Sequence, residues 1–156
     1  MNALADAPGR TESPLRIETS RFGALEVPPE RLYDFPEGLL GFERVAQFAL
    51  LEHPGGGGIE WLQAVSRPSL AFVVTDPRPY FPDYRVPVRR EDLAGIGLED
   101  PAEGVVRVIL WVPDDPLQAT ANLQGPVLLN PRTRRGRQLV LDEGPYTTRH
   151  RLFATG

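Results

Sequence analysis

Seventeen prolines and 15 glycines are spread through this 156-residue chain, and they fall between short apolar runs rather than in one block. Proline removes a backbone donor and fixes φ, and glycine costs entropy inside a regular element, so both interrupt long helices and central strands. With apolar residues at 41% and charged residues at 24%, close to globular norms, this punctuation implies turns between many short strands rather than disorder.

The apolar pattern agrees. Alternation predicts strands over 16–19 and 23–27, then over 44–51 and 59–65, the latter two joined by the flexible tip Gly55-Gly56-Gly57-Gly58. A β-branched and aromatic run over 70–75 ends at Asp76-Pro77. The strongest strand spans 104–112, with Val106, Val108, Leu110 and Val112 on one face and Val105, Arg107, Ile109 and Trp111 on the other. Apolar residues on both faces predict a central position. Further strands are expected over 119–123, 127–129, 138–141 and 146–153, a brief helical turn over 28–32 and a short helix over 89–96 with Glu91 and Asp92 in its first turn. The expected fold is mainly β: a compact antiparallel β-barrel-like single domain over 14–156 with one or two short helices, preceded by a disordered tail over 1–13.

Much chemistry is excluded by inventory. All 17 basic residues are arginine, no cysteine is present, and the two histidines, His53 and His150, stand far apart without ligand spacing. Thiolate nucleophiles, cysteine-ligated metals, Schiff bases and a P-loop lysine are therefore ruled out. The first 14 residues lack the basic and apolar regions of a signal peptide, and no apolar run approaches a membrane span, so a cytoplasmic protein is expected. A net charge of −4 disfavours nonspecific nucleic-acid binding.

The remaining motifs read mostly as structure. The tetraglycine is followed by Ile59-Glu60-Trp61, neither a helix start nor the lysine of a phosphate loop. The acid pairs Glu99-Asp100 and Asp114-Asp115 precede Pro101 and Pro116 and read as solvated turns rather than as a metal or acid–base site. Between 91 and 115 there are seven acids and one arginine; this stretch reads equally as solvated turns or as an acidic face for a basic partner. Arg132, Arg134, Arg135 and Arg137 form a basic hairpin turn, which a small RNA-binding β-barrel would use against phosphates. No interleaved aromatics support that alternative.

Six segments occur in a specific order: Phe35-Pro36-Glu37-Gly38-Leu39-Leu40-Gly41-Phe42, Trp61-Leu62-Gln63, Phe72-Val73-Val74-Thr75-Asp76-Pro77, Asn122-Leu123-Gln124-Gly125-Pro126-Val127-Leu128-Leu129-Asn130, Gln138-Leu139-Val140-Leu141 and Tyr146-Thr147-Thr148-Arg149. Over about residues 15–153 the chain thereby resembles the FliW flagellar assembly factor family. The resemblance implies a small cytoplasmic β-barrel-like binding protein rather than an enzyme. It implies that the protein binds flagellin and, when free, binds and allosterically antagonises CsrA, the RNA-binding repressor of flagellin translation. It implies no cofactor, no metal, no direct nucleic-acid contact, no membrane, no small-molecule substrate and a monomer when free. Carried onto these residues, it places Thr120, Asn122 and Leu123 at the partner surface, shaped by Pro126 and Asn130, and gives Glu99, Asp100 and Glu103 the negative charge set against CsrA. Phe35 and Phe42 fit the core better than an interface. Gly125 and Ala64 depart from the commoner Ala and Ser, and the tetraglycine lengthens its loop.

Overall fold

The strand Val105–Trp111 (β7) organises the molecule because strands pair with both its edges, and both its faces are packed along all but its last residue. The computed structural model describes residues 13–153. In chain order the strands are β1 (Leu15–Thr19), β2 (Gly23–Val27), β3 (Leu32–Asp34), β4 (Gln47–Glu52), β5 (Ile59–Ala64), β6 (Ala71–Thr75), β7, β8 (Thr120–Ala121), β9 (Val127–Asn130), β10 (Arg135–Gln138) and β11 (His150–Arg151). Strands β3 to β7 pair consecutively and antiparallel. β9 then pairs with β7, β10 with β9, and β10 with β3, which closes a seven-stranded barrel. The β10–β3 contact is parallel, with Arg135 opposite Asp34, the one departure from the expected antiparallel order.

One edge of β7 is shared by two strands in succession. Its C-terminal end pairs with β8, Trp111 opposite Thr120 and Leu110 opposite Ala121. Its N-terminal end pairs with β9, Arg107 opposite Val127 and Val105 opposite Leu129. The Asn122 amide still bonds the Ile109 carbonyl at 2.9 Å, so residues 123–126 stand together opposite Val108 alone. This is a wide bulge within an otherwise continuous antiparallel run.

The barrel interior holds Tyr33, Phe35, Leu39, Phe48, Leu50, Leu62, Ala64, Val74, Val127 and Leu129, with Ile109 and Val105 of β7 against them. The outward residue Val106 packs with Ile96, Leu98, Leu128 and Leu139, and Val108 and Leu110 pack with Ala121 and Leu123 beneath Phe81, Tyr84 and Tyr146. Both faces of β7 are thus buried, which is why its sequence is apolar on both. Arg107, the exception, lies on the inward register with Glu60 of β5, its Nε 2.7 Å from the carboxylate; Arg31 approaches the other oxygen at 3.4 Å. The hairpin β1–β2 lies across β4, burying Ile17 and Val27 on Ala49.

The tetraglycine tip joins β4 to β5 as expected, and the short helix α1 occupies Arg90–Gly95. Its Asp92 carboxylate accepts the Arg89 amide, and Gly97, at φ +69, terminates it in the left-handed region that favours glycine. The turn expected over 28–32 is the 3-10 segment Pro29–Arg31. Four expected strands are displaced or shortened: the one over 44–51 is found at Gln47–Glu52 and the one over 119–123 contracts to Thr120–Ala121. The one anticipated over 138–141 is β10 at Arg135–Gln138, because the turn before it tightens on Arg134 at φ +59; the one over 146–153 contracts to His150–Arg151. The tail expected over 1–13 lies, except for Ser13, outside the described residues.

Barrel closure leaves no room at Gly136. A Cβ there would sit 2.5 Å from the Phe35 ring and 2.8 Å from Leu129. Gly136→Ala is expected to destabilise the protein by about 1–3 kcal/mol through overpacking, read as a lower urea midpoint with an unchanged m-value.

Candidate partner-binding site

The two most specific sequence motifs meet at one end of the barrel. In the loop over 35–42, Gly38 turns the chain at φ +64, where a Cβ would collide with the Phe42 carbonyl. That turn and the Leu39–Phe42 bridge drive Phe35 and Leu39 into the core and leave Leu40 exposed at 56%. Gln138 joins this loop to the other motif: its Oε1 accepts the Leu40 amide at 2.9 Å and its Nε2 donates to the Gly125 carbonyl at 2.9 Å. Asn122 Oδ1 in turn accepts the amides of Gln124 and Gly125, fixing the bulge over 123–126. A Cβ on Gly125 would press Gln138 Nε2 at 2.8 Å, so glycine keeps this chain of bonds compact.

The residues placed at the partner surface by resemblance are therefore largely occupied internally. Leu123 is 2% exposed and packs with Val108, Leu110 and Ala121, while its carbonyl accepts the Tyr84 hydroxyl at 2.6 Å. Thr120 and Pro126 are buried, and the Thr120 hydroxyl is left without a hydrogen-bond partner. Asn130 is buried with both ends satisfied, Nδ2 donating to the Ile96 carbonyl and Oδ1 accepting the Arg132 amide. Asn122 is half-buried. In this conformation Leu123 is packed beneath Tyr84 and Tyr146 and offers little side-chain surface to a partner.

Glu99, Asp100 and Glu103 do lie exposed, around the 3-10 turn Pro101–Glu103, whose start is capped by Asp100 Oδ1 accepting the Ala102 amide at 3.0 Å. The acidic stretch does not form one face. Asp92 is buried against Arg137 and Arg89, and Asp114 and Asp115 stand beyond the opposite end of β7. Seven strand residues separate the two exposed groups by roughly 20 Å.

The basic turn is engaged by its own fold. Arg132 donates to the Gly97 carbonyl, Arg134 to that of Pro29, and Arg137 pairs with Asp92 and Glu37. Only Arg135 of the four is exposed without such a contact described. His53 Nδ1 accepts the Gly55 amide and its ring stacks on Trp61, and His150 Nε2 accepts the Thr147 amide. Gln63 is fully buried, its Nε2 set among the carbonyls of Ala64, Arg67, Pro68 and Leu70, which explains the Trp61-Leu62-Gln63 motif as a loop anchor. A cleft of about 370 Å³ has Tyr84, Val86, Leu93 and Val106 in its walls; Arg78 on its rim is held by Asp76, whose carboxyl that guanidinium keeps below the usual range. Among the described residues no group of three or more His, Asp or Glu is arranged for a metal ion.

Sequence reasoning missed one surface altogether. Trp111 and Leu117 are 60% and 63% exposed, with Val112 beside them. The signal was available in position: Trp111 ends its strand just before Pro113-Asp114-Asp115, where the sheet no longer covers it.

A sequence model of the FliW protein family matches residues 16–152. The chain belongs to the FliW family. It is 41% identical to the flagellar assembly factor FliW of Moorella thermoacetica over 140 residues, covering 89% of each chain. It is 37% identical to the protein of the same name from Leptospira interrogans, covering 89% of this chain and 93% of that one. A crystal structure of a flagellar assembly factor FliW superposes with a TM-score of 0.85 at 33% identity, covering 90% of this chain and 99% of the other. FliW membership at this coverage makes the chain a flagellar assembly factor, and its closed β-barrel superposes on the solved relative over 90% of the chain.

The bond from Tyr84 to the bulge of this FliW barrel is testable through pH. Burial lifts the Tyr84 phenol above its ordinary range, and the neighbouring Tyr146 adds to the shift. A folded-state value above the unfolded one means the stabilisation is complete below about pH 10 and is lost as pH rises through the folded value. Tyr84→Phe is expected to cost about 1–2 kcal/mol at neutral pH by stranding the Leu123 carbonyl. It should also flatten the loss of stability above pH 10 in denaturant melts.

Proposed function

We propose that this protein is a cytoplasmic partner switch that binds flagellin and, when flagellin is exported and no longer occupies it, binds CsrA and relieves repression of flagellin mRNA. The work is protein binding, without catalysis, cofactor, small-molecule substrate, membrane or direct nucleic-acid contact, and the free form is a monomer. The observation that carries the reading is the exposed acidic turn of Glu99, Asp100 and Glu103 on a chain that matches flagellar assembly factors over nearly its whole length. A protein that grips RNA does so with a basic surface, and a rigid acidic turn complements such a surface. The RNA-binding alternative loses support because three of the four arginines it needs are engaged within the fold.

Mixing the purified protein with cognate flagellin or with CsrA should give a complex of each by size-exclusion chromatography and calorimetry, with Kd below about 10 μM. Absence of both complexes at tens of micromolar protein overturns the reading. The triple change Glu99→Gln, Asp100→Asn, Glu103→Gln keeps the Asp100 cap acceptor while removing the charge. It should slow CsrA association about 3–10-fold at low ionic strength, a difference that disappears in high salt.

A further inference from the structure

The N-terminal end of β7 has a stretch of edge without a partner strand. The Asn122 amide bonds the Ile109 carbonyl, so the odd-numbered residues of β7 turn their backbone groups toward β8 and β9, and the even-numbered ones toward β6. On that side Leu110 meets Val73 and Val108 meets Thr75. Val106 meets no strand among the described residues, because the chain leaves β6 at Asp76-Pro77. Were the register to continue, Pro77 would stand opposite Val106, and proline has no amide to give the ladder. The gap opens into the cleft of about 370 Å³, which Asp76 and Pro77 line from one side and Val105, Val106 and Arg107 from the other. Its body is apolar, with Val86, Val88, Leu93 and Leu128 around Val106.

The polar groups left over at this cleft are donors. The Val106 carbonyl already accepts Arg107 Nη1 at 2.9 Å, while the Val106 amide is directed into the gap. Arg107 is matched by Glu60 at 2.7 Å and Arg78 by Asp76 at 2.6 Å. Arg85 is exposed, holds the Pro82 and Tyr84 carbonyls through Nη1, and pairs with no carboxylate among the described residues. The Tyr84 hydroxyl is spent on the Leu123 carbonyl. Of the acidic turn, Pro101 and Gly104 reach the cleft wall, whereas Glu99, Asp100 and Glu103 do not. We infer that the cleft binds a small free carboxylate with a branched or aromatic apolar body. The body packs on Val86, Leu93 and Leu128, and the carboxylate accepts the Val106 amide and the Arg85 guanidinium. A peptide strand laid along the edge fits less well, because its own amide needs the Val106 carbonyl that Arg107 occupies. A cation would meet Arg85 with no carboxylate to offset it. The ligand is held rather than converted, and the inference does not rest on the partner-switch reading.

The test follows the backbone amide of Val106 by proton–nitrogen correlation NMR of the full chain, titrated at neutral pH with isocaproate and with hydrocinnamate. At least one of the two acids should shift that resonance saturably, with Kd below about 1 mM. The primary amide of that acid should bind at least about 10-fold more weakly for want of charge, and acetate equally so for want of a body. Arg85→Gln removes the charge at an exposed position and should weaken the acid about 10-fold with the melting temperature unchanged. Arg85→Lys should stay within about 3-fold of the parent, since it restores the charge. No saturable shift by either acid at about 10 mM overturns the inference. So does a primary amide that binds as well as its acid, parental affinity in Arg85→Gln, or a set of shifts confined to residues outside the cleft.

Discussion

Barrel closure through one edge of β7 is the constraint on which the rest of this structure depends. A strand whose C-terminal end pairs with β8 and whose N-terminal end pairs with β9 needs the connecting chain to leave the sheet and return within a few residues. Asn122 makes that possible by taking the Gly125 amide, which the departing chain would leave unbonded, and by sharing that of Gln124, and Gly125 lets Gln138 pass close by. Tyr84 bonds the Leu123 carbonyl from outside, and Thr147 accepts the amides of Leu123 and Gln124. Buried backbone groups that lose their ladder partner cost too much to leave unsatisfied, so the bulge comes with its own set of partners. The segment that looks most like a recognition motif is thus the device that shuts the barrel.

The fold was legible where local pattern and tertiary burial agree. The two apolar faces of β7, the β4–β5 hairpin and the helix over 90–95 all follow from alternation, turn chemistry and acids at a helix start. Legibility failed where tertiary pairing decides. Arg135-Gly136-Arg137-Gln138 reads as a polar turn, yet it is a barrel strand because Gly136 lies under Phe35 and Arg137 reaches the buried Asp92. Asn130 is a polar residue that the pattern alone does not place in the core, and it is buried, since the Ile96 carbonyl and the Arg132 amide replace water around it. Of the candidate site, the acids over 99–103 were visible as charge, whereas the exposure of Trp111 depends on where the sheet stops covering β7 and has no counterpart in the alternation itself.

Charge is distributed by the same logic. Asp92 works inside the molecule as a helix-start acceptor and a partner for Arg137, and Glu60 offers its two oxygens to Arg107 and Arg31 at one mouth of the barrel. Two cations around one partly buried carboxylate, with hydrogen bonds from the arginines to the carbonyls of Leu50 and Val106, satisfy most of the donors that burial would otherwise strand. Those residues specify register rather than recognition. Left outside at the two ends of β7 are the exposed acids of the turn over 99–103 and the exposed Trp111 and Leu117.

The tetraglycine tip between β4 and β5 lies outside this division. Gly56, Gly57 and Gly58 all have positive φ, and nothing stands within 4 Å of where their Cβ atoms would be. Four glycines in a row hold little of the loop in place, and the cost of closing a loop grows only slowly as residues are added. The tip is therefore a natural port for cargo of the experimenter's choosing: a fluorophore or epitope inserted there would report on the protein while the ordered barrel carries on beneath it.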